Sequence, residues 1–172
     1  CNEPSPVMIA CPDKGMAEEV YKTKLEPMLE SCPVVARRLL PKRDRNMHLV
    51  DLGDMWVYFG WSGSKATLSG RSIRFIYITE LGLWTYVKDR EGDPLKMALD
   101  RAKAFPNRKI FLEGKPTIRG ECRITESYEQ SDQRTYHLPC PHCNRFQPLI
   151  LGDAESQGGL KWQRCSNGHS DP

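Results

Sequence analysis

The sequence predicts an α/β domain built on a mainly parallel sheet. Short apolar runs at Val7–Cys11, 55–60, 73–78 and Lys109–Leu112 read as strands. Segments with helical spacing or a helix-start signal alternate with them. The run Ile73-Arg74-Phe75-Ile76-Tyr77-Ile78 is nearly unbroken in β-branched and aromatic residues. Such a run suits a central strand buried on both faces.

Val7–Cys11 follows a Pro-rich start and ends at Pro12-Asp13, where Asp13 can cap a helix. Beyond it Met16, Val20, Leu25, Met28, Leu29 and Cys32 recur at roughly helical spacing and predict one buried face. Pro27 should kink this helix and Pro33 close it. Arg37, Arg38, Lys42, Arg43 and Arg45 form a basic stretch, read either as a solvated loop or as a phosphate-contacting patch. Residues 61–72 are rich in Ser and Gly and read as a flexible loop. Asp93-Pro94 joins a cap to a first-turn proline, and Leu95, Ala98, Leu99 and Ala102 give the helix that follows an apolar face. Lys109–Leu112 runs into the turn Glu113-Gly114-Lys115-Pro116-Thr117, and a helix is predicted over 122–130.

At 172 residues the chain can hold one domain with a real core, or one domain and a small appendage. A composition shift near Thr135 divides residues 1–134 from a cysteine-rich segment, 135–172. The net charge of +3 permits nucleic-acid contact without arguing for it. No apolar run approaches the ~20 residues of a membrane span, and no signal peptide is visible. Seven cysteines, an odd and uneven set, do not resemble a secreted disulfide framework and point to a reducing compartment.

Four constellations bear on chemistry. In Ile76-Tyr77-Ile78-Thr79-Glu80 an apolar strand ends in a carboxylate. In a parallel sheet that end is the ligand edge, where a carboxylate can hold Mg²⁺ or orient a water. Gly60-Trp61-Ser62-Gly63-Ser64-Lys65-Ala66-Thr67 imitates a phosphate-binding loop but fails it, since Ser64 precedes Lys65 and Ala66 separates it from Thr67. Residues 112–117 form a strand-to-helix turn. Cys140 and Cys143, with Cys165 and His169 further on, supply four plausible zinc ligands.

Together, PVMIACPDKGMAEEVYKTKLEPML, SGRSIRFIYITEL, GDPLKMALDRAKAFPNRKIFLEGKPTIRG and ITESYEQSDQRTYHLPCPHC resemble the GpA family of terminase large subunits, in the family's order and over most of the chain. The resemblance implies part of a RecA-like P-loop ATPase sheet with helices on both faces, followed by an incomplete zinc-ribbon-like element. It implies a motor that couples ATP hydrolysis, with Mg²⁺, to the packaging of double-stranded viral DNA. Its expected partners are a terminase small subunit, a portal protein and further copies of itself in a ring, and its setting is the host bacterial cytoplasm. A nuclease for cutting concatemers is expected outside this segment. Glu80 would be the catalytic glutamate, Thr79 would occupy the Walker B aspartate position, and Thr117 would lie in the γ-phosphate-sensing turn. Arg71, and beside it Arg74, would be candidates to reach a neighbouring subunit's nucleotide.

The departures are specific. Thr79 replaces an aspartate, Gly114-Lys115-Pro116-Thr117 stands where the family has Ser-Thr-Pro-Thr, and Gly168 falls where a fourth cysteine belongs, leaving His169 as substitute. No Walker A loop occurs in these residues, so the isolated chain is expected to be inactive. The alternative reading is a non-catalytic DNA- or partner-binding remnant with a zinc ribbon.

Overall fold

A computed structural model describes residues 3–39, 41, 45–84, 92–118, 122–148 and 150, and the backbone of 163–164 and 170–171. The chain forms two compact units, Cys1–Ser127 and Tyr128–Pro172.

The first unit is organised by β1 (Val7–Cys11), which lies in the middle of a five-stranded sheet. A helical run follows as α1 (Lys14–Val20), a π-helical turn (Tyr21–Leu25) and α2 (Glu26–Ser31). Asp13 caps it, accepting from the Met16 amide at 2.9 Å. Ala17, Tyr21, Leu25 and Leu29 are buried along it, four residues apart. A strict four-residue repeat drifts around a helix of about 3.6 residues per turn. The wider π turn takes up the excess and keeps all four on the sheet side. Pro27, the expected kink, sits in the first turn of α2, just after that π segment. The helix stops before Pro33 as expected, and Pro33 opens the short α3 (Pro33–Ala36).

The sheet continues with β2 (Leu49–Asp51), β3 (Trp56–Trp61), β4 (Phe75–Ile78) and β5 (Lys109–Leu112). The order is β2-β3-β1-β4-β5, with β1, β3, β4 and β5 parallel and β2 antiparallel at one edge. Between β3 and β4 lies α4 (Lys65–Leu68). The expected flexible loop at 61–72 is therefore ordered around a short helix, because Leu68 is fully buried in the core. Asp93 caps α5 (Pro94–Asp100), accepting from the Lys96 amide at 3.3 Å, and α6 (Arg123–Glu129) follows β5.

Two cores lie on the two faces of the sheet. Met8, Ala10, Ile76 and Ile78 pack with Leu68, Ala98 and Ala102 from α4, α5 and the turn after α5. Cys11, Val57 and Phe59 pack with Ala17, Tyr21, Leu25 and Leu29. The prediction of a central strand buried on both faces fails at one residue of β4. Tyr77 is 38% exposed, because α1 and α2 cover β1 and β3 rather than β4 and β5. It stacks on Phe111, itself 58% exposed, with ring centroids 5.2 Å apart.

In the second unit β6 (His137–Pro139) and β7 (Phe146–Pro148) form an antiparallel hairpin, and β8 (Gln163–Arg164) pairs with β9 (Ser170–Asp171). Among the described residues no helix is long and apolar enough to cross a membrane.

Candidate functional site

The carboxyl ends of the parallel strands build one edge. The Thr79 amide donates to the Ala10 carbonyl at 3.0 Å and prolongs the β1–β4 ladder by one step. Glu80 then turns left-handed, at φ 50 and ψ 46, ahead of a 3-10 turn at Leu81–Leu83. A non-glycine residue in that region is uncommon and gathers at functional sites.

Glu113, the first residue after β5, grips this turn with its whole length. Its amide donates to the Ile78 carbonyl and its carbonyl accepts from the Leu81 amide, both at 2.9 Å. Its Oε1 accepts from the Thr79 hydroxyl and from the Glu80 amide, the latter at 3.3 Å. The carboxylate of Glu80 is left without a hydrogen bond or ion pair among the described residues. The Trp84 indole, buried beneath, donates to the Thr79 carbonyl at 3.2 Å. Tyr77 registers the acidic surroundings: its phenol is pushed up first by burial, then by Glu113, Cys11 and Glu80.

Two glycines let the loops after β4 and β5 meet backbone to backbone. A Cβ on Gly82 would lie 2.4 Å from the Lys115 carbonyl oxygen, and one on Gly114 would lie 2.8 Å from the Leu81 nitrogen. The Gly82 Cβ would also come within 3.3 Å of Thr117 Cγ2, so the 113–117 turn lies against the Glu80 loop. The Thr117 amide donates to Cys122 Sγ at 3.2 Å. Amides of Thr117 and Thr125 lower the Cys122 thiol to about 6, against the opposing effect of burial. At the neighbouring strand end Ser62 is buried, and its hydroxyl donates to the Pro12 carbonyl at 2.6 Å.

The structure thus brings Thr79, Glu80 and Thr117 to one edge. Glu113 was missed by sequence reasoning, although Leu112-Glu113 repeats the signal of a strand running into a carboxylate that singled out Glu80. Replacing Glu113 with Ala should lower stability by about 1.5 kcal/mol, while Gln, which keeps the acceptor oxygen, should recover most of it. Urea denaturation decides the matter, and equal losses for Ala and Gln would count against the clasp.

Arg71 and Arg74 lie at the other end of β4. Arg74 is 9% exposed and committed internally to Glu3, to Ser5 Oγ at 3.1 Å and to the Asn107 carbonyl at 3.5 Å. Of the basic stretch, Arg38 pairs with Asp54 at 2.9 Å and Arg45 with Glu30 at 2.6 Å, so these two charges are neutralised within the chain. Lys42 and Arg43 lie outside the described residues.

Cys140 and Cys143 occupy the tip of the β6–β7 hairpin. The amides of Cys143 and His142 point at the Cys140 sulfur and lower its thiol, an environment that suits a metal thiolate. Cys165 and His169 lie outside the described residues, and among the described residues no group of three or more possible ligands gathers.

The fold and this edge place the chain among the open α/β proteins whose ligands collect at the carboxyl ends of parallel strands. It belongs to the family described as phage terminase large subunit gpA, ATPase domain, whose sequence model matches residues 1–170. It is 27% identical over 162 residues to the terminase large subunit of Enterobacteria phage P21, covering 89% of this chain and 25% of that protein. Against the terminase large subunit of Escherichia phage lambda it is again 27% identical over 162 residues, covering 90% and 25%. The chain therefore spans about a quarter of the length of these curated relatives. No solved structure matches it at a significant level.

Proposed function

We propose that the chain is part of a DNA-packaging motor, the segment that carries the water-orienting carboxylate of its ATPase. The observation that carries this is Glu80. By the resemblance it would take the family's catalytic position, and it lies at the carboxyl end of a parallel strand with its carboxylate unengaged among the described residues and its backbone pinned by Glu113.

The donor set of this edge fits one half of a nucleotide site. Carboxylate and hydroxyl oxygens from Glu80, Glu113 and Thr79 are hard ligands of the kind Mg²⁺ takes. The phosphate half is not supplied, since no G-x-x-x-x-G-K-[ST] occurs in the sequence. When bound, Mg-ATP would bring the phosphoryl group to be transferred and a cation to neutralise its charge. Glu80 would orient and polarise the attacking water. Thr79 would retain a coordinating oxygen where the family has an aspartate. Thr117 would face the γ-phosphate from a turn locked to Glu80 through Gly82 and Gly114. Arg71, at the opposite end of β4, is not placed to serve the nucleotide of its own subunit, and the resemblance leaves it the nucleotide of a neighbour in the ring. Double-stranded DNA, a small subunit and a portal protein are the proposed partners, in the host cytoplasm, with nuclease cutting assigned to a part of the protein outside this segment. Zn²⁺ on Cys140, Cys143, Cys165 and His169 is proposed for the second unit, carried by the thiolate-favouring turn at Cys140.

The purified chain should hydrolyse no ATP above background. Grafted in place of the matching quarter of the lambda terminase large subunit, it should restore hydrolysis. Glu80→Gln in that chimera should reduce the rate by about a hundredfold or more while nucleotide binding persists. A Gln variant as active as the parent chimera would sink the assignment of Glu80.

A further inference from the structure

Opposite the Glu80 edge, the amino ends of β4 and β5 meet the carboxyl end of α5. The Ile73 amide donates to the Arg101 carbonyl at 2.9 Å, and the Lys109 amide to the Arg74 carbonyl at 3.1 Å. Backbone bonds thus hold three segments together at one end of the sheet. Those segments carry Arg71, Arg101, Lys103, Arg108 and Lys109, of which all are exposed except the half-buried Arg101. Arg71 and Arg101 share a shallow recess with Ser72. The Arg71 guanidinium lies 4.5 Å from the centroid of the Tyr58 ring, which restrains its plane.

Little negative charge opposes them. Asp100 is engaged by Lys103 at 2.7 Å, and that hydrogen bond holds its carboxyl below the ordinary range. Glu3 is taken by Arg74. Arg71, Arg101, Arg108 and Lys109 make no ion pair among the described residues.

We propose that this edge is a contact surface for the phosphodiester backbone of double-stranded DNA. Guanidinium groups match phosphate oxygens bidentately, and several at one end of the sheet can displace condensed counterions together. An acidic protein partner would call for an apolar anchor at the centre of the patch. The recess that Arg71 and Arg101 share offers none, being lined by Gly70, Arg71, Ser72, Asp100, Arg101 and Ala104, while the apolar recess that Arg108 and Lys109 border, with Phe75, Tyr77 and Phe111, is a separate one. The surface takes its ligand class from the packaging reading, and it uses none of the residues of the Glu80 edge.

The test is fluorescence anisotropy of the 172-residue chain with a labelled random-sequence duplex across a salt series. Wild-type affinity should fall steeply with salt. The triple variant R71A/R101A/R108A should bind at least about tenfold more weakly, with a log–log salt slope smaller by about three. The control K14A/K22A/K24A removes the same charge from the α1 side and should keep the wild-type affinity and slope. Equal losses in both triple variants would overturn the surface, as would wild-type binding that ignores salt. Displacement by poly-glutamate as readily as by unlabelled duplex would reassign it to an acidic protein. A chimera that hydrolyses ATP while the triple variant keeps full DNA affinity would discard the surface and retain the motor, returning Arg71 to a neighbour's nucleotide. DNA binding that follows these charges in a chain whose chimera is inactive would do the reverse.

Discussion

Ile78→Ala should cost about 2–5 kcal/mol of stability, the largest loss expected from any single side chain near the site. Ile78 is fully buried with Met8, Ala10, Ile76, Leu81 and Trp84. Its truncation opens a cavity directly under Thr79, in a layer fixed by two flanking strands that cannot close in. Its carbonyl also accepts from the Glu113 amide, so loosening β4 here loosens the clasp above it. Urea denaturation followed by circular dichroism measures the loss through a lower midpoint. A midpoint within experimental scatter of the wild type would mean that the apolar layer does not support the edge as described.

Gly82→Ala should be the second most damaging change, at about 1–3 kcal/mol. The added methyl would meet the Lys115 carbonyl oxygen at 2.4 Å, and a backbone oxygen cannot rotate away as a side-chain tip would. One loop must move, and with it either Glu80 or the 113–117 turn. Gly63→Ala is the control, since nothing lies within 4 Å of the position its Cβ would take. It should change stability by less than about 0.5 kcal/mol. Comparable effects at the two glycines would remove the close approach from the account of the site. In the lambda chimera Gly82→Ala should also lower hydrolysis beyond what its fraction of folded protein explains.

Much of the sheet was legible because its signals are local. Val7–Cys11 and Lys109–Leu112 were read at their observed bounds, and Asp13 and Asp93 cap helices where the sequence placed them. Strand β4 begins two residues later than predicted. The Ile73 amide is taken by Arg101, and the amides of Arg74 and Phe75 share the Pro6 carbonyl. What escaped is non-local. Leu49–Asp51 is too short to show a period and owes its strand to pairing with β3. Leu68 is one apolar residue in a polar stretch, and only packing against the β1–β4 layer makes its turn helical. Glu113 belongs to the site because Ile78 stands opposite Leu112 in the parallel register, which sets the next residues, Thr79 and Glu113, side by side. A register of that kind is written in no single segment.

The uncovered flank of the sheet bears on how the chain behaves in solution. Strand β5 is the last in the order, and beyond it no further strand pairs among the described residues. Its start is guarded by Arg108 and Lys109, but Ile110 and Phe111 follow, exposed, beside Tyr77. Natural edges are blunted by charge, proline or a bulge, and an open, apolar one is a template for another strand. Folded molecules at high concentration are then expected to associate through β5, and a more stable monomer should not close that route.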